Sequence, residues 1–456
     1  MKLLNRRFSR SALAVLLPAA CLAMPAVAAA DPDPAPPATT PDAAPQTWAV
    51  HVQSTLTFQG NAGFHAPYQG QNSLQSDANG RETADVTLYL GYRPWRGAEI
   101  WINPEIDQGF GLSDTEGVAG FPNGEGSKVG AADPYPKLQR YFLRQTIDLG
   151  GAVQRLDPDL NQLGGSQTSD RVVLTVGKFQ VTDIFDTNGY AHDARGDFLN
   201  WSLIDAGTFD YAANAWGFTY GAAAELYAGH FALRGGVFDL SVVPNDVKLD
   251  PTFRQFQLVG EIEEDHDIAG QSGAVKLTGF LSRGRMGSFA DAIALSEATG
   301  QPASVALVRR YRSRPGLSVN AQQQIADGLG AFLRAGLADG NVEPYEFADI
   351  DDTASGGLAL SGKRWGRPDD TYAIAGVVNE ITRIHEEYLN DGGLGILVGD
   401  GRLPHPGPEE IIETYYEFAA LKALKISLDY QFVTNPAYNR DRGPVSIGAV
   451  RFHTQF

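Results

Sequence analysis

The sequence predicts an all-β protein: a transmembrane antiparallel β-barrel of about 16 strands (about 16–18), with long external loops and a third loop folded inward. Apolar and polar residues alternate with a period of two along many segments, as in strands whose two faces meet lipid and water. Long and short connections alternate between these segments. No run of about 18 apolar residues follows residue 30, so no membrane-spanning helix is predicted. A closed barrel is then the structure that can satisfy the hydrogen bonds of a backbone in lipid.

The N-terminal segment predicts export. Residues 1–30 begin with basic residues, continue with a short apolar run and end in small residues. This is the pattern of a secretory signal peptide, with cleavage expected after Ala28 or Ala30. Residues 31–46 are rich in proline and alanine without periodicity and predict a disordered periplasmic lead-in. Residues 47–456 then form the predicted barrel domain.

Composition excludes several functions. The formal net charge of −18 argues against a nucleic-acid partner, because no basic groove is available. The single cysteine, Cys21, lies in the predicted signal peptide, so thiolate chemistry and disulfides are excluded from the exported chain. The eight histidines lack the spacing of a zinc site, and no catalytic constellation is evident. We therefore expect neither a cofactor, a metal nor an enzyme.

The alternation begins directly after the lead-in. Trp48 and Val50 alternate with His51 and Gln53, and the isoleucines of residues 97–108 alternate with acidic and aromatic side chains. Charges at every second position are expected where the inner face of a barrel lines water. The same pattern predicts strands near 47–59, 82–94, 97–108, 138–149, 171–180, 213–227, 229–240, 253–264, 273–284, 315–325, 328–338, 353–364, 370–381, 409–420, 422–434 and 445–456.

The connections between these strands indicate an orientation. With a periplasmic N-terminus, the short links are internal turns, except for a long one at 150–170. The predicted external links are 60–81, 109–137, 181–212, 241–252, 285–314, 339–352, 382–408 and 435–444. The last strand places Phe452 and Val450 on its oily face and ends on Phe456. A terminal aromatic of this kind is typical of outer-membrane barrels and predicts recognition by the outer-membrane assembly machinery.

The third external loop is the strongest candidate for a functional segment. Residues 181–212 mix aromatic side chains with both signs of charge, and a loop this long is uncommon without a role. We expect it to fold inward and narrow a water-filled channel; the alternative is a surface loop that caps the barrel. Aromatic faces stack on sugar rings, while carboxylates and guanidinium groups bind hydroxyls.

Four segments, 103–125, 140–150, 177–221 and 428–456, resemble the carbohydrate-selective porins of the OprB family. The resemblance covers essentially the whole chain after the signal peptide and is most specific around Asn200-Trp201-Ser202 and from Asn435 to Phe456. It implies a sixteen-stranded barrel in the outer membrane of a Gram-negative bacterium that admits glucose and related small sugars by passive diffusion. The preferred sugar does not follow from it.

Pore-lining or sugar-binding candidates are charged and aromatic residues expected to face inward. The alternative for each is a wall residue in a ladder of ion pairs. The candidates are Glu99, Trp101, Glu105, Arg140, Arg144, Lys178, Arg283, Arg334 and Arg451 from the strands, with Asp186, Arg195, Asp197 and Trp201 from the third loop.

Two further loop clusters leave alternatives open. The arginine-rich run 309–314 could bind the phosphates of lipopolysaccharide, line the pore or lie in solvent, and we favour the rim or the pore. Asp349, Asp351 and Asp352 could hold calcium, but a solvated acidic loop is the simpler interpretation.

For the whole protein, the alternatives are a general or other-solute porin, a non-conducting adhesin or structural barrel, and an outer-membrane hydrolase. A homotrimer is compatible with the sequence, and outer-membrane lipid is an expected partner.

Overall fold

The computed structural model describes residues 45–456, so the predicted signal peptide and most of the lead-in lie outside the described residues. Within this range no helix is long and apolar enough to cross a bilayer. Sixteen strands form the fold: β1 Trp48–Asn61, β2 Asn79–Tyr92, β3 Ala98–Gly109, β4 Ala131–Leu156, β5 Gly165–Phe179, β6 Thr219–Ala228, β7 Phe231–Asp239, β8 Phe256–Ile268, β9 Gln271–Met286, β10 Arg310–Ala326, β11 Leu329–Ala338, β12 Asp352–Ser361, β13 Thr371–Glu380, β14 Glu409–Leu421, β15 Leu424–Thr434 and β16 Val445–Gln455.

The strands close into one antiparallel barrel. Each pairs with its neighbours in the chain, and β1 pairs with β16, where Thr55 lies opposite His453 and Leu56 opposite Phe452. Closure pairs the two edge strands, so no open edge faces lipid. The predicted closed barrel of sixteen strands is confirmed, and each predicted segment overlaps one strand.

The two faces of the wall differ as the alternation requires. On β3, Ile102 and Ile106 are 42% and 50% exposed on the outside, whereas Glu99 and Glu105 on the inner face are buried. On β1, Trp48 and Val50 face outward while Gln53 and Thr55 face inward. The period of two therefore separates an apolar outer belt from a polar lumen.

The connections differ between the two ends of the barrel. One end has short turns, such as Gly229 to His230 and Ala269 to Gly270. The other end carries the long loops, which contain the helices α1 Trp201–Ile204, α2 Phe289–Thr299 and α3 Arg383–Asn390. The long internal link expected at 150–170 is mostly strand, because β4 and β5 continue pairing to Leu156 and Gly165 and leave only a turn.

The expected loop at 309–314 is also mostly strand. Arg310 begins β10, because its pairing with β9 continues to Met286. The arginines of this run each have an acidic partner: Arg309 pairs with Glu343, Arg310 and Arg312 pair with Asp291, and Arg314 pairs with Asp210 and Asp351. Ion pairing therefore ties this run to the loops around it.

Candidate functional site

The connection between β5 and β6, residues 180–218, lies inside the barrel; we call it the inner loop. Its backbone N–H groups donate to carboxylates of the wall. Asp186 donates to Glu261 of β8 at 2.8 Å, and Asn200 donates to Glu413 of β14 at 2.9 Å. Inward-facing carboxylates of two distant strands thus serve as acceptors for an irregular segment, which meets the hydrogen-bonding need of its backbone.

Two buried arginines of the wall hold the inner loop from other sides. Arg334 of β11 donates to the carbonyls of Leu203 and Ala191, each at 2.8 Å, and pairs with Asp186 at 3.3 Å. Arg451 of β16 donates to the carbonyls of Ala194 and, at 2.8 Å, of Asp197. Since these guanidinium groups are almost completely buried, their role is to fix the loop.

Local hydrogen bonds shape the part of the loop that carries Trp201. Asn200 caps α1, its side-chain oxygen accepting from the Ser202 N–H at 3.1 Å. The Asp197 carboxylate accepts from the N–H groups of His192 and Asp193 at 2.9 and 3.1 Å. Asp197 therefore orders the turn that precedes the helix.

Arg195 lies at the centre of a cluster of carboxylates inside the barrel. Its guanidinium lies 2.8 Å from Glu125, 3.5 Å from Asp85, 3.7 Å from Glu105 and 3.8 Å from Asp193. Burial raises the pKa of the Glu125 carboxyl, in the β3–β4 loop, to about 8. One cation thus holds together carboxylates from two strands and two loops.

A cavity on the long-loop side of Arg195, the outer cavity, has an empty volume of about 960 Å³ that includes open solvent. The ring of Trp201 stacks on Phe121 with a centroid distance of 5.2 Å and an interplanar angle of 13°. Carboxylates and amides, among them Asp85, Glu105 and Gln139, also line the cavity. The aromatic lining residues are Phe121, Tyr135, Trp201, Tyr211, Trp216, Phe218 and Phe347.

A second cavity, the inner cavity, lies on the short-turn side of the barrel and has an empty volume of about 1660 Å³ that includes open solvent. Its lining pairs opposite charges: Arg140 lies 2.7 Å from Asp183, and Arg144 lies 3.5 Å from Glu99. Among residues 45–456, Arg195 alone lines both cavities. It therefore marks the level at which the outer and inner cavities adjoin.

The turn between β4 and β5, residues 157–164, folds back over the inner cavity. Arg144 donates to the carbonyl of Asn161 at 2.8 Å, and the Asn103 amide donates to the Asn161 side chain at 2.9 Å. Leu163 is fully buried in the same segment. The turn thus contributes residues 159–162 to the lining of the inner cavity at the short-turn end of the barrel.

The structure brings most of the predicted residues to this channel. Glu105, Arg195 and Trp201 line the outer cavity. Glu99, Arg140, Arg144 and again Arg195 line the inner one. Asp186, Asp197, Arg334 and Arg451 position the inner loop.

Three other predicted residues neither line these two cavities nor position the inner loop. Lys178 was expected to face inward, but Phe179 takes that face, so the period of two turns Lys178 outward, where its ammonium donates to the Leu138 carbonyl at 3.0 Å. Arg283 faces outward with Leu281 for the same reason. Trp101 faces inward but is fully buried, donating to Glu99 at 3.0 Å as part of the wall.

The sequence reasoning missed several residues of the outer cavity, among them Phe121, Glu125, Trp216 and Phe347. These residues lie in loops without periodicity, and their aromatic content in unusually long connections was the available signal. The interpretation of Asp349 and Asp351 as a solvated loop was wrong. Both are buried: Asp349 accepts from the Leu397 N–H at 2.6 Å, and Asp351 accepts from the Thr382 N–H at 2.8 Å.

Among the solved structures similar to this chain, the high-pH structure of Pseudomonas putida OprB shares its architecture. The high-pH structure of Pseudomonas putida OprB superposes with a TM-score of 0.69 at 15% identity, covering 90% of this chain and 94% of that one. Its low-pH structure gives a TM-score of 0.49 at 12% identity, covering 90% and 93%. Pseudomonas aeruginosa OccK2 (OpdF) in complex with glucuronate gives 0.45 at 9% identity, covering 90% and 98%.

The family comparison decides the identity. No curated protein matches the chain. The family model described as "Carbohydrate-selective porin, OprB family" matches residues 71–456, which is most of the chain and nearly all of the barrel. The family and the fold are those of a non-enzymatic channel in the outer membrane of Gram-negative bacteria, and the family is defined by sugar passage. The chain belongs to the OprB family of carbohydrate-selective porins.

Proposed function

We propose that glucose and related small, uncharged sugars diffuse passively through the outer cavity, past Arg195 and through the inner cavity into the periplasm. The observation that carries the proposal is the outer cavity itself. It combines aromatic rings, of which Trp216 and Phe347 are partly exposed, with the carboxylates around Arg195. An aromatic face suits the apolar side of a pyranose ring, and charged groups suit its hydroxyls.

Selective passage requires that groups of the channel replace the water around the sugar without binding the sugar tightly. A sugar entering the channel loses hydration and regains hydrogen bonds from groups such as Glu105, Arg195 and Arg140. These groups already satisfy one another through the ion pairs of Arg195 and Arg140, so a sugar exchanges partners instead of filling an empty site. The resulting affinity is low enough for release.

The proposal is tested by conductance in planar bilayers. Purified protein should give steady channels whose conductance falls when glucose is added. Steady channels that glucose leaves unchanged would favour a general or other-solute porin, and silent membranes would favour a non-conducting barrel. A cheaper check of the barrel is a gel shift between unboiled and boiled samples.

Trp201 provides the residue-level test. Trp201→Ala removes one face of the aromatic pair, so we expect sugar block to weaken about threefold to tenfold. Trp201→Phe keeps an aromatic face and is the matched control, with block close to that of the native channel. Unchanged block in the alanine variant, with a normal heat shift on gels, would show that sugars do not contact this ring.

The family resemblance also supports proposals about assembly. Residues 1–30 would direct export, and Phe456 would be recognised by the assembly machinery of the outer membrane. The oligomeric state, with a homotrimer as one candidate, is measurable by mass determination of the detergent-extracted protein. Lipopolysaccharide is a proposed neighbour of the outer wall.

A further inference from the structure

Two arginines interrupt the lipid-facing side of the barrel. Along β9, the exposed side chains are Leu277 and Leu281, then Arg283 and Arg285. Because alternate residues of a strand share a face, the two arginines continue the outer row of leucines. The outer face of this strand thus changes from apolar to basic within a few residues.

The change occurs at the external boundary of the membrane belt. β9 runs from the short turn at Gly270 to the long loop 287–309, so Arg283 and Arg285 lie at its external end. On β10, Ser313 lies opposite Arg283 and Tyr311 opposite Arg285. Tyr311 is exposed, as are the interfacial aromatics that girdle outer-membrane barrels.

The same wall carries a third basic residue. Arg254 is exposed and precedes β8, whose Phe256 pairs with Arg283. The side-chain amide oxygen of the intervening Gln255 accepts from the Arg285 N–H at 2.8 Å, so this chain segment lies beside the end of β9. Arg254, Arg283 and Arg285 therefore form a basic cluster on the outside of the rim.

This basic cluster has no acidic partner among residues 45–456. The Arg283 guanidinium donates to the Ser313 hydroxyl at 3.3 Å and lies 5.9 Å from the Tyr311 ring centre, but none of the three arginines forms an ion pair. Nearby Arg309, Arg310 and Arg312 are all paired with carboxylates. In a chain of net charge −18, three unpaired arginines on one outer surface point to an external anion.

We propose that Arg254, Arg283 and Arg285 bind the phosphate groups of an anionic glycolipid in the outer leaflet, with acyl chains against Leu281 and its apolar neighbours. Guanidinium forks bind phosphate oxygens in pairs, and the arginine stems can lie along the apolar wall. The proposal rests on the outer-membrane placement of the barrel and is independent of its sugar selectivity.

The test compares lipid binding by three purified proteins: the native barrel, the double variant Arg283→Gln/Arg285→Gln, and Arg383→Gln. Arg383 is an exposed external-loop arginine paired with Glu387, so this control removes one positive charge outside the cluster, against two in the double variant. The probe is bisphosphorylated lipid A, titrated in detergent with EDTA present and monitored by native mass spectrometry. EDTA removes binding that depends on a divalent cation bridging two anions.

We expect the double variant to bind lipid A at least about tenfold more weakly, with Arg383→Gln close to native. Equal binding by all three proteins would overturn the proposal. So would displacement of lipid A by millimolar inorganic phosphate, which would indicate a free-anion site, or equally tight binding of phosphatidylglycerol, which would indicate general attraction to anionic lipid. Glucose block measured on the same variants reports the sugar function separately and should not change.

Discussion

At the scale of single residues, the channel has an imbalance of charge around Arg195, where acidic groups outnumber basic ones. Its one positive charge faces Glu125, Asp85, Glu105 and Asp193, all within 3.8 Å. Asp107 adds a further carboxylate to the same cavity lining. A charged solute would disturb this cluster, whereas a neutral hydroxylated solute exchanges hydrogen bonds with it.

Replacing this cation should change ion selectivity. In Arg195→Gln the carboxylates lose their counter-charge, so we expect the channel to favour cations over anions several-fold more than the native protein does. The reversal potential in a salt gradient measures this ratio. Arg383→Gln removes an exposed arginine that lines neither cavity and should leave the ratio unchanged. An unchanged ratio in Arg195→Gln would contradict the central role of Arg195.

Glu125 makes the same selectivity depend on pH. Burial raises the pKa of its carboxyl from 4.5 to about 8, so the group is mostly neutral below that pH and ionised above it. We expect cation preference to rise between about pH 7 and pH 9 as this negative charge appears. Reversal potentials across that range measure the change, and Glu125→Gln should flatten the profile.

Residue positions could be predicted where one face of a strand was plainly apolar. Ile100, Ile102 and Ile106 identify the outer face of β3, so Glu99 and Glu105 were correctly predicted to face inward. Lys178 and Arg283 were misplaced because a charge was assumed to avoid lipid. Near a membrane boundary a long basic side chain can reach the headgroups, so charge alone does not identify the lumen.

At the scale of elements, the inner loop is held by the wall more than by its own structure. Its helices are short: the 3-10 helix Val181–Asp183 has three residues and α1 has four. Other backbone groups of the loop bond to inward side chains of the strands, including Glu261, Glu413, Arg334 and Arg451. The loop's length and aromatic content could be predicted to matter, but its path could not, because it depends on contacts far apart in sequence.

The Arg334 anchor offers a test of this arrangement. Arg334→Leu leaves the Asp186 carboxylate buried without its cation and frees two loop carbonyls, a change that costs about 3–5 kcal/mol in comparable buried pairs. We expect the barrel to form while the inner loop loosens, giving larger conductance and weaker glucose block in bilayers. Arg334→Lys keeps the positive charge, so its conductance and glucose block should lie between those of Arg334→Leu and the native protein. A native conductance in Arg334→Leu would show that other contacts suffice.

At the scale of the whole molecule, the alternation of long and short links predicted the number of strands. It did so because every strand begins at one end of the barrel and ends at the other, one end carrying long loops and the other short turns. The pairing of the first and last strands could not be derived residue by residue, since the register across the seam depends on the tilt of the complete barrel. In the structure, Ser54 of β1 lies opposite Thr454 of β16, and both side chains are on the outer face.

This seam can be tested with a cross-link. Ser54→Cys combined with Thr454→Cys places two thiols at directly opposed positions, where the Cα separation of antiparallel partners suits a disulfide. We expect the bond to form on oxidation of the folded barrel and to alter the gel mobility of the boiled protein. Ser54→Cys with Ser446→Cys, which lies about 27 Å along the strand from Thr454, should remain uncross-linked. Equal cross-linking of both pairs would contradict the register.

The meeting of both cavities at Arg195 has a consequence for traffic. On the proposed path every sugar passes Arg195, the residue that lines both cavities, so a slowly moving solute would delay the molecules behind it. We therefore expect uptake to saturate, and sugar accumulated in the periplasm to slow the entry of a second sugar from outside. The bacterium's own consumption of sugar then becomes part of what keeps the channel clear.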